Sequence, residues 1–120
     1  MRFLKSSLAF GIFALPLCTQ IVDYSLEIKP QTDNDIYQMS VNSTVTFQAQ
    51  ASGRNSETDE IVSVEIDRAW WDFDKDILVK ISSDKNSITL KATKEGVSQL
   101  TVNATMNNRA FTKSITILVK

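Results

Sequence analysis

Thr44-Val45-Thr46-Phe47-Gln48-Ala49-Gln50 alternates polar and apolar residues without a break. Val45, Phe47 and Ala49 fall on one side of an extended chain, and the threonines and glutamines fall on the other. That period of two is the mark of a half-buried strand, because successive side chains of a strand point to opposite faces. The pattern recurs along the chain. Ile88, Leu90 and Ala92 alternate with Thr89, Lys91 and Thr93; Leu100, Val102 and Ala104 alternate with Gln99, Thr101, Asn103 and Thr105. Ile115, Ile117 and Val119 share one face of the closing run Phe111 to Val119. Upstream, Leu26 and Ile28 alternate with Ser25, Glu27 and Lys29 until Pro30, which has no N–H to give a ladder.

Between these runs lie Asp33-Asn34-Asp35, Ser52 to Glu60, Ser82 to Ser87, Lys94-Glu95-Gly96 and Asn107-Asn108-Arg109, all with turn composition. Ile61 to Phe73 is rich in β-branched and aromatic residues, and Ile77 to Ile81 reads as a further strand. The count is about seven to eight antiparallel strands spaced by roughly 8–12 residues, the pattern of an all-β sandwich or barrel. No window after residue 20 carries an amphipathic helix, and no internal repeat or low-complexity tract interrupts the chain.

The composition excludes several classes of function. The chain has 120 residues, a net charge of −1 and no histidine. No basic excess marks a nucleic-acid surface. Without histidine there is no Ser-His-Asp or Cys-His machinery and no imidazole metal site. The single cysteine leaves no internal disulfide and no thiolate zinc cage. No cofactor is expected.

Residues 1–20 read as an export signal, and residues 21–120 as one domain. Arg2 and Lys5 form a short basic start, and Leu8 to Leu17 follow without a charge. That run is too short for a bilayer, which needs about 20 residues, and it suits a signal-peptide core. Cys18 directly after the apolar run resembles a bacterial lipoprotein box and is the lipidation candidate. The expected location is the cell envelope, held there by a lipid on Cys18 and by no other membrane contact, or the medium. Removing residues 1–20 takes away Arg2 and Lys5 and no acid, so the domain carries −3. That balance argues against docking on anionic lipid.

The second half resembles the bacterial Ig-like domains of group 2. The resemblance starts at Trp71, followed by the polar turn Asp72-Phe73-Asp74-Lys75-Asp76 and the short strand Ile77 to Ile81. A strand closing on Gly96 comes next, then Gly96 to Ala104 in the family's Gly-x-x-x-aliphatic-Thr-aliphatic-x-Ala form, and the last strand Ser114 to Val119. Upstream, Ser25 to Pro30 and Thr44 to Ala49 match the first two strands. The stretch Ile61 to Arg68 departs from the family by being longer and more apolar. The resemblance implies an immunoglobulin-like β-sandwich with no catalytic function. It implies a cell-surface or secreted module for adhesion, protein binding or structural support. A carbohydrate-binding module and a subunit of a surface fibre are the alternatives, so the partner is a protein or a glycan. For a fibre, the edges expected to pair are Thr44 to Gln50 and Thr112 to Val119.

Trp70 and Trp71 must point to opposite faces of a strand. Ala69, Trp71 and Phe73 share one face and Arg68, Trp70, Asp72 and Asp74 the other. Packing puts the first set inside, so the expected core is Trp71, Phe73, Phe47, Val45, Leu100 and Val102. Trp70 then stands among charges on the outer face, where an indole can anchor a partner or stack on a sugar. Trp70, Arg68 and Asp72 are the candidate binding residues, and the 53–60 loop comes after them. Asp72, Asp74 and Asp76 have the alternate spacing of a calcium loop. Ile77 stands where such a loop needs glycine, however, and Ser83 where it needs a bidentate carboxylate. Glu57, Asp59, Glu60, Glu65 and Asp67 supply carboxylates without a cleft to face them across. Asn42-Ser43-Thr44 and Asn103-Ala104-Thr105 match a glycosylation pattern that arises often by chance, and it carries no weight here.

Overall fold

The computed structural model describes residues 20–120. Apart from Gln20, residues 1–20, read above as an export signal, lie outside the described residues, and so does Cys18. The described strands are β1 (Ile21–Lys29), β2 (Ile36–Met39), β3 (Thr44–Asn55), β4 (Ile61–Val64) and β5 (Arg68–Asp72). They continue as β6 (Leu78–Ser83), β7 (Ser87–Ala92), β8 (Gly96–Met106) and β9 (Arg109–Val119). One sheet has the order β2-β9-β8-β5, and the other β1-β3-β7-β6, with β4 paired to β3.

Taking β1 and β2 as two parts of a split first strand, the sheets read A-B-E-D and A′-G-F-C in chain order. That is the strand order of an immunoglobulin sandwich, with β4 as an addition. The strands number nine among the described residues, and one pair departs from the antiparallel expectation. Thr116 to Val119 of β9 pair in parallel with Ile36 to Met39 of β2. The cause lies in the connection. β1 ends at Lys29, and the chain then crosses to the other sheet, where it runs alongside β9 in the same direction.

The two strands expected to be edges are interior. β3, which contains Thr44 to Gln50, lies between β1 and β7; β9, which contains Thr112 to Val119, lies between β2 and β8. Alternation reports which face is buried and carries no information on which strand lies alongside.

By internal contacts the described chain divides into two compact units. The smaller consists of residues 20–25 and Ser52–Ser63. Its core element is a hairpin in which the Asn55 N–H donates to the Glu60 carbonyl at 2.8 Å. Gly53-Arg54-Asn55, expected in a loop, are therefore strand residues. The extra length of 61–68 is accounted for by β4 and the short link to β5.

The larger unit, Leu26–Ala51 with Val64–Lys120, is the sandwich. Its interior is the set of alternating residues: Phe47, Ile88, Leu90, Leu100, Val102, Ala104, Ile115, Ile117 and Val119 are all buried. Met106 and Leu78 are fully buried as well. The Tyr37 ring on β2 meets the Phe47 ring on β3 edge-on, with centroids 5.2 Å apart, so this pair joins the two layers. Burying one such side chain stabilises by about 1.5–3 kcal/mol, whereas an exposed ion pair is worth about 0–1 kcal/mol. Packing between the sheets thus outweighs Lys113–Asp35 and Lys29–Glu27, both partly exposed. The β8–β9 hairpin turns through Asn107 and Asn108, with φ of 52° and 61°. Two left-handed residues in a row make the primed turn that matches strand twist, and asparagine accepts it readily.

Candidate functional site

The open side of the sandwich is where the two sheets end in β5 and β6. Each of these strands pairs on one side only, β5 with β8 and β6 with β7. The β5 register runs unbroken from Arg68↔Thr105 to Asp72↔Thr101. Trp70 is 48% exposed, and Arg68 and Asp72 beside it on the same face are exposed too. Outside the backbone ladder, neither the Arg68 nor the Asp72 side chain has an ion-pair or hydrogen-bond partner among the described residues. Strand geometry brings these three together, because residues two apart share a face.

Trp71 points the other way and is only half-buried, as are Phe73 and Val45. Phe47, Leu100 and Val102 are wholly enclosed. Trp71 owes its partial cover to its place on an edge strand. A cavity of about 420 Å³ lies against it, between β5 and β6. Trp71, Leu78 and Ile88 give it apolar walls, and Lys75, Lys80, Ser83 and Asp84 bring polar atoms to it. The Trp71 Nε1–H is buried and has no partner. Lys80 has no ion-pair partner among the described residues, while Lys75 sits 5.7 Å from the centre of the Phe73 ring. Lys85 reaches Glu65 at 3.3 Å and so ties the end of β6 to the approach to β5. Sequence reading missed this cavity. The signal was present in Trp71 itself, a large side chain with a donor on a strand that proves to be an edge.

An unpartnered buried N–H costs about 1–3 kcal/mol. Trp71→Phe keeps an aromatic ring in place and deletes the donor. The lost donor offsets part of the lost ring area, so urea unfolding should show a change below about 1 kcal/mol. A larger loss would mean that the N–H has found a partner in solution.

The connection from β5 to β6 is anchored to the interior. The Asp74 N–H donates to Ser98 Oγ at 2.9 Å, and Ser98 is buried. The Asp74 carboxylate turns back to accept the Asp76 N–H at 2.9 Å, closing an Asx turn. Asp72, Asp74 and Asp76 do not converge. No group of three or more Asp, Glu, His or Cys side chains able to hold a metal ion occurs among the described residues. The alternate spacing that suggested calcium is carried by a strand end and a turn.

The 53–60 segment is a braced hairpin and not a free loop. Asn55 Oδ1 accepts the Glu57 N–H at 2.9 Å and the Thr58 N–H at 3.3 Å. Arg54 donates Nε–H to Asp23 Oδ2 at 2.8 Å and also reaches Asp59. Hydrogen bonds to Asp23 first and Asp59 second push the Arg54 guanidinium above its ordinary range, so it stays charged. Of the carboxylates of this segment, Asp59 is engaged by Arg54 and Glu60 accepts the Thr58 hydroxyl at 3.5 Å.

No family model matches the chain, and no curated protein matches it. Among solved structures it is similar to a chimeric titin Z1Z2 functionalized with a KLER exogenous peptide from decorin. The two are 19% identical, with a TM-score of 0.48, over 85% of this chain and 96% of that one.

Proposed function

We propose that the chain is an exported, non-catalytic recognition module of the bacterial Ig-like kind, acting in adhesion or protein binding at the cell envelope. The observation that carries this reading is Trp70 standing exposed between Arg68 and Asp72 on an uncovered strand edge. Tryptophan and arginine are over-represented where binding energy concentrates, and free edges are where other chains dock. Export is supported by the basic start and short apolar run of residues 1–20. What varies on a sandwich scaffold is the surface it presents.

The test is an envelope pull-down with the exported chain, wild type beside Trp70→Ala. An exposed side chain away from the core contributes about ±0.5 kcal/mol, so the melting point should shift by only a few degrees. The expected outcome is a bound partner that the variant loses. A partner held equally by both would move recognition to another surface, such as the β3–β4 hairpin. The exposed indole also favours a second reading, a sugar stacked on Trp70. Polysaccharide retained by wild type and released by Trp70→Ala would select it.

A further inference from the structure

We propose that β5 is a self-docking edge, and that its partner is the β5 of a second copy of this chain. The proposal rests on the reading of Trp70, Arg68 and Asp72 as a recognition surface and names its occupant. The argument begins with the edges. β1 contains Asp23 at φ 53°, a left-handed residue that interrupts an extended edge. β2 and β4 are four residues each. β6 carries a bulge between Lys80 and Ser82, which takes the edge out of register and is a common guard against pairing. β5 has neither a bulge nor a left-handed residue, and its five residues contain no lysine or proline.

Its sequence is Arg68-Ala69-Trp70-Trp71-Asp72, which is self-complementary in charge when reversed. Pair two copies antiparallel about a two-fold axis through Trp70. Trp70 then faces Trp70, Arg68 faces Asp72 of the second copy, and Asp72 faces Arg68 of the second copy. All of these side chains lie on the exposed face. On the inner face Ala69 falls opposite Trp71 of the second copy, a methyl against an indole. Cross-strand aromatic pairs and opposite charges stabilise, and like charges directly opposite repel. A parallel arrangement about Trp70 would set arginine against arginine and aspartate against aspartate, so the charges select the antiparallel register. The contact is isologous and closes at two copies. The two four-stranded sheets become one continuous sheet across the dimer.

Sedimentation velocity on the purified exported chain, from about 1 μM to 1 mM, reads the dimer directly. Arg68→Asp and Asp72→Arg each create two like-charge pairs across the axis and should weaken the dimer by about tenfold or more. The double variant Arg68→Asp/Asp72→Arg restores opposite charges at both pairs and should recover wild-type affinity to within about threefold. Melting curves of the three variants check that the fold is kept. If one of them unfolds, the amide exchange of Ala69 and Trp71 in the wild type, slowed at high concentration and faster on dilution, replaces it. A chain that stays monomeric throughout overturns the proposal. So does a dimer indifferent to both single variants, a double variant weaker than either, or an assembly that grows beyond two copies. A monomeric chain that still captures an envelope partner through Trp70 would leave the recognition surface standing and remove only the second copy. Failure of both assays would remove both.

Discussion

Phe47→Ala should cost about 3–5 kcal/mol of stability. Phe47 has no exposed surface, lies opposite Ile88 in the ladder with β7, and meets Tyr37 across the layers at 5.2 Å. Its removal deletes an aromatic side chain from one sheet and strands the ring of the other. The β-strand backbone is fixed by neighbours on both sides, so the space cannot close by local collapse and much of the cavity term remains. A domain of this size is stable by about 5–15 kcal/mol, so the loss is a large fraction of the total. Each kcal/mol moves the midpoint by about 4–8 °C in a domain near 100 residues, so the melting point should fall by at least 12 °C or so. Two comparisons on the same strand make the result interpretable. Val45→Ala, at a half-buried position, should cost less. Thr46→Ala on the outer face removes only the 2.7 Å hydroxyl contact with Thr89 and should cost under about 1 kcal/mol. If Phe47→Ala and Thr46→Ala were equal, the inward face would have been assigned wrongly.

That same residue shows what the sequence makes legible. Val45, Phe47 and Ala49 reveal a buried face because burial has the period of the pleat, and the same holds for Leu100, Val102 and Ala104. Neighbours in the sheet leave no such periodic trace. Thr44 to Gln50 looks like an edge because its outer face is rich in threonine, yet it has a strand on each side. Threonine fits an exposed pleated face of an interior strand equally well. The parallel pairing of Ile36 to Met39 with β9 depends on a chain crossing between sheets, a long-range fact that no local pattern encodes. Gly53 and Asn55 have turn chemistry but are held in strand by β4, a case of tertiary pairing overriding local preference.

The candidate site divides along the same line. That Trp70 and Trp71 face opposite ways follows from strand geometry alone, and so does the grouping of Arg68, Trp70 and Asp72. That β5 is an edge does not, and the edge is what exposes the indole and opens the cavity beside Trp71. Asp72, Asp74 and Asp76 fail for a related reason. Alternate spacing collects side chains on one side only while the chain stays extended, and here it turns at Asp74, whose carboxylate accepts the Asp76 N–H.

Gly96→Ala should cost about 1–3 kcal/mol, chiefly through the backbone. Gly96 has φ 149°, a conformation that L side chains rarely adopt. It opens β8, facing Val119 of β9, so its backbone is held by an eleven-residue ladder and cannot relax to a common conformation. A Cβ here would also lie 2.8 Å from Ile77 Cδ1. Ile77 is buried, and its carbonyl accepts both the Thr93 N–H and the Thr93 hydroxyl, so its main chain is fixed while its terminal methyl can swing. The two causes can be separated. Ile77→Val removes Cδ1 and alone should cost about 0.5–1.5 kcal/mol. If the backbone dominates, the double variant should equal the sum of the singles to within about 0.5 kcal/mol, because nothing couples the two sites. If the contact dominates, shortening Ile77 should rescue the alanine, and the double should fall short of the sum by 1 kcal/mol or more, as for side chains in direct contact. The freedom of Cδ1 to rotate away, against a φ fixed by ladder bonds, makes additivity the expected result in urea unfolding of all four proteins.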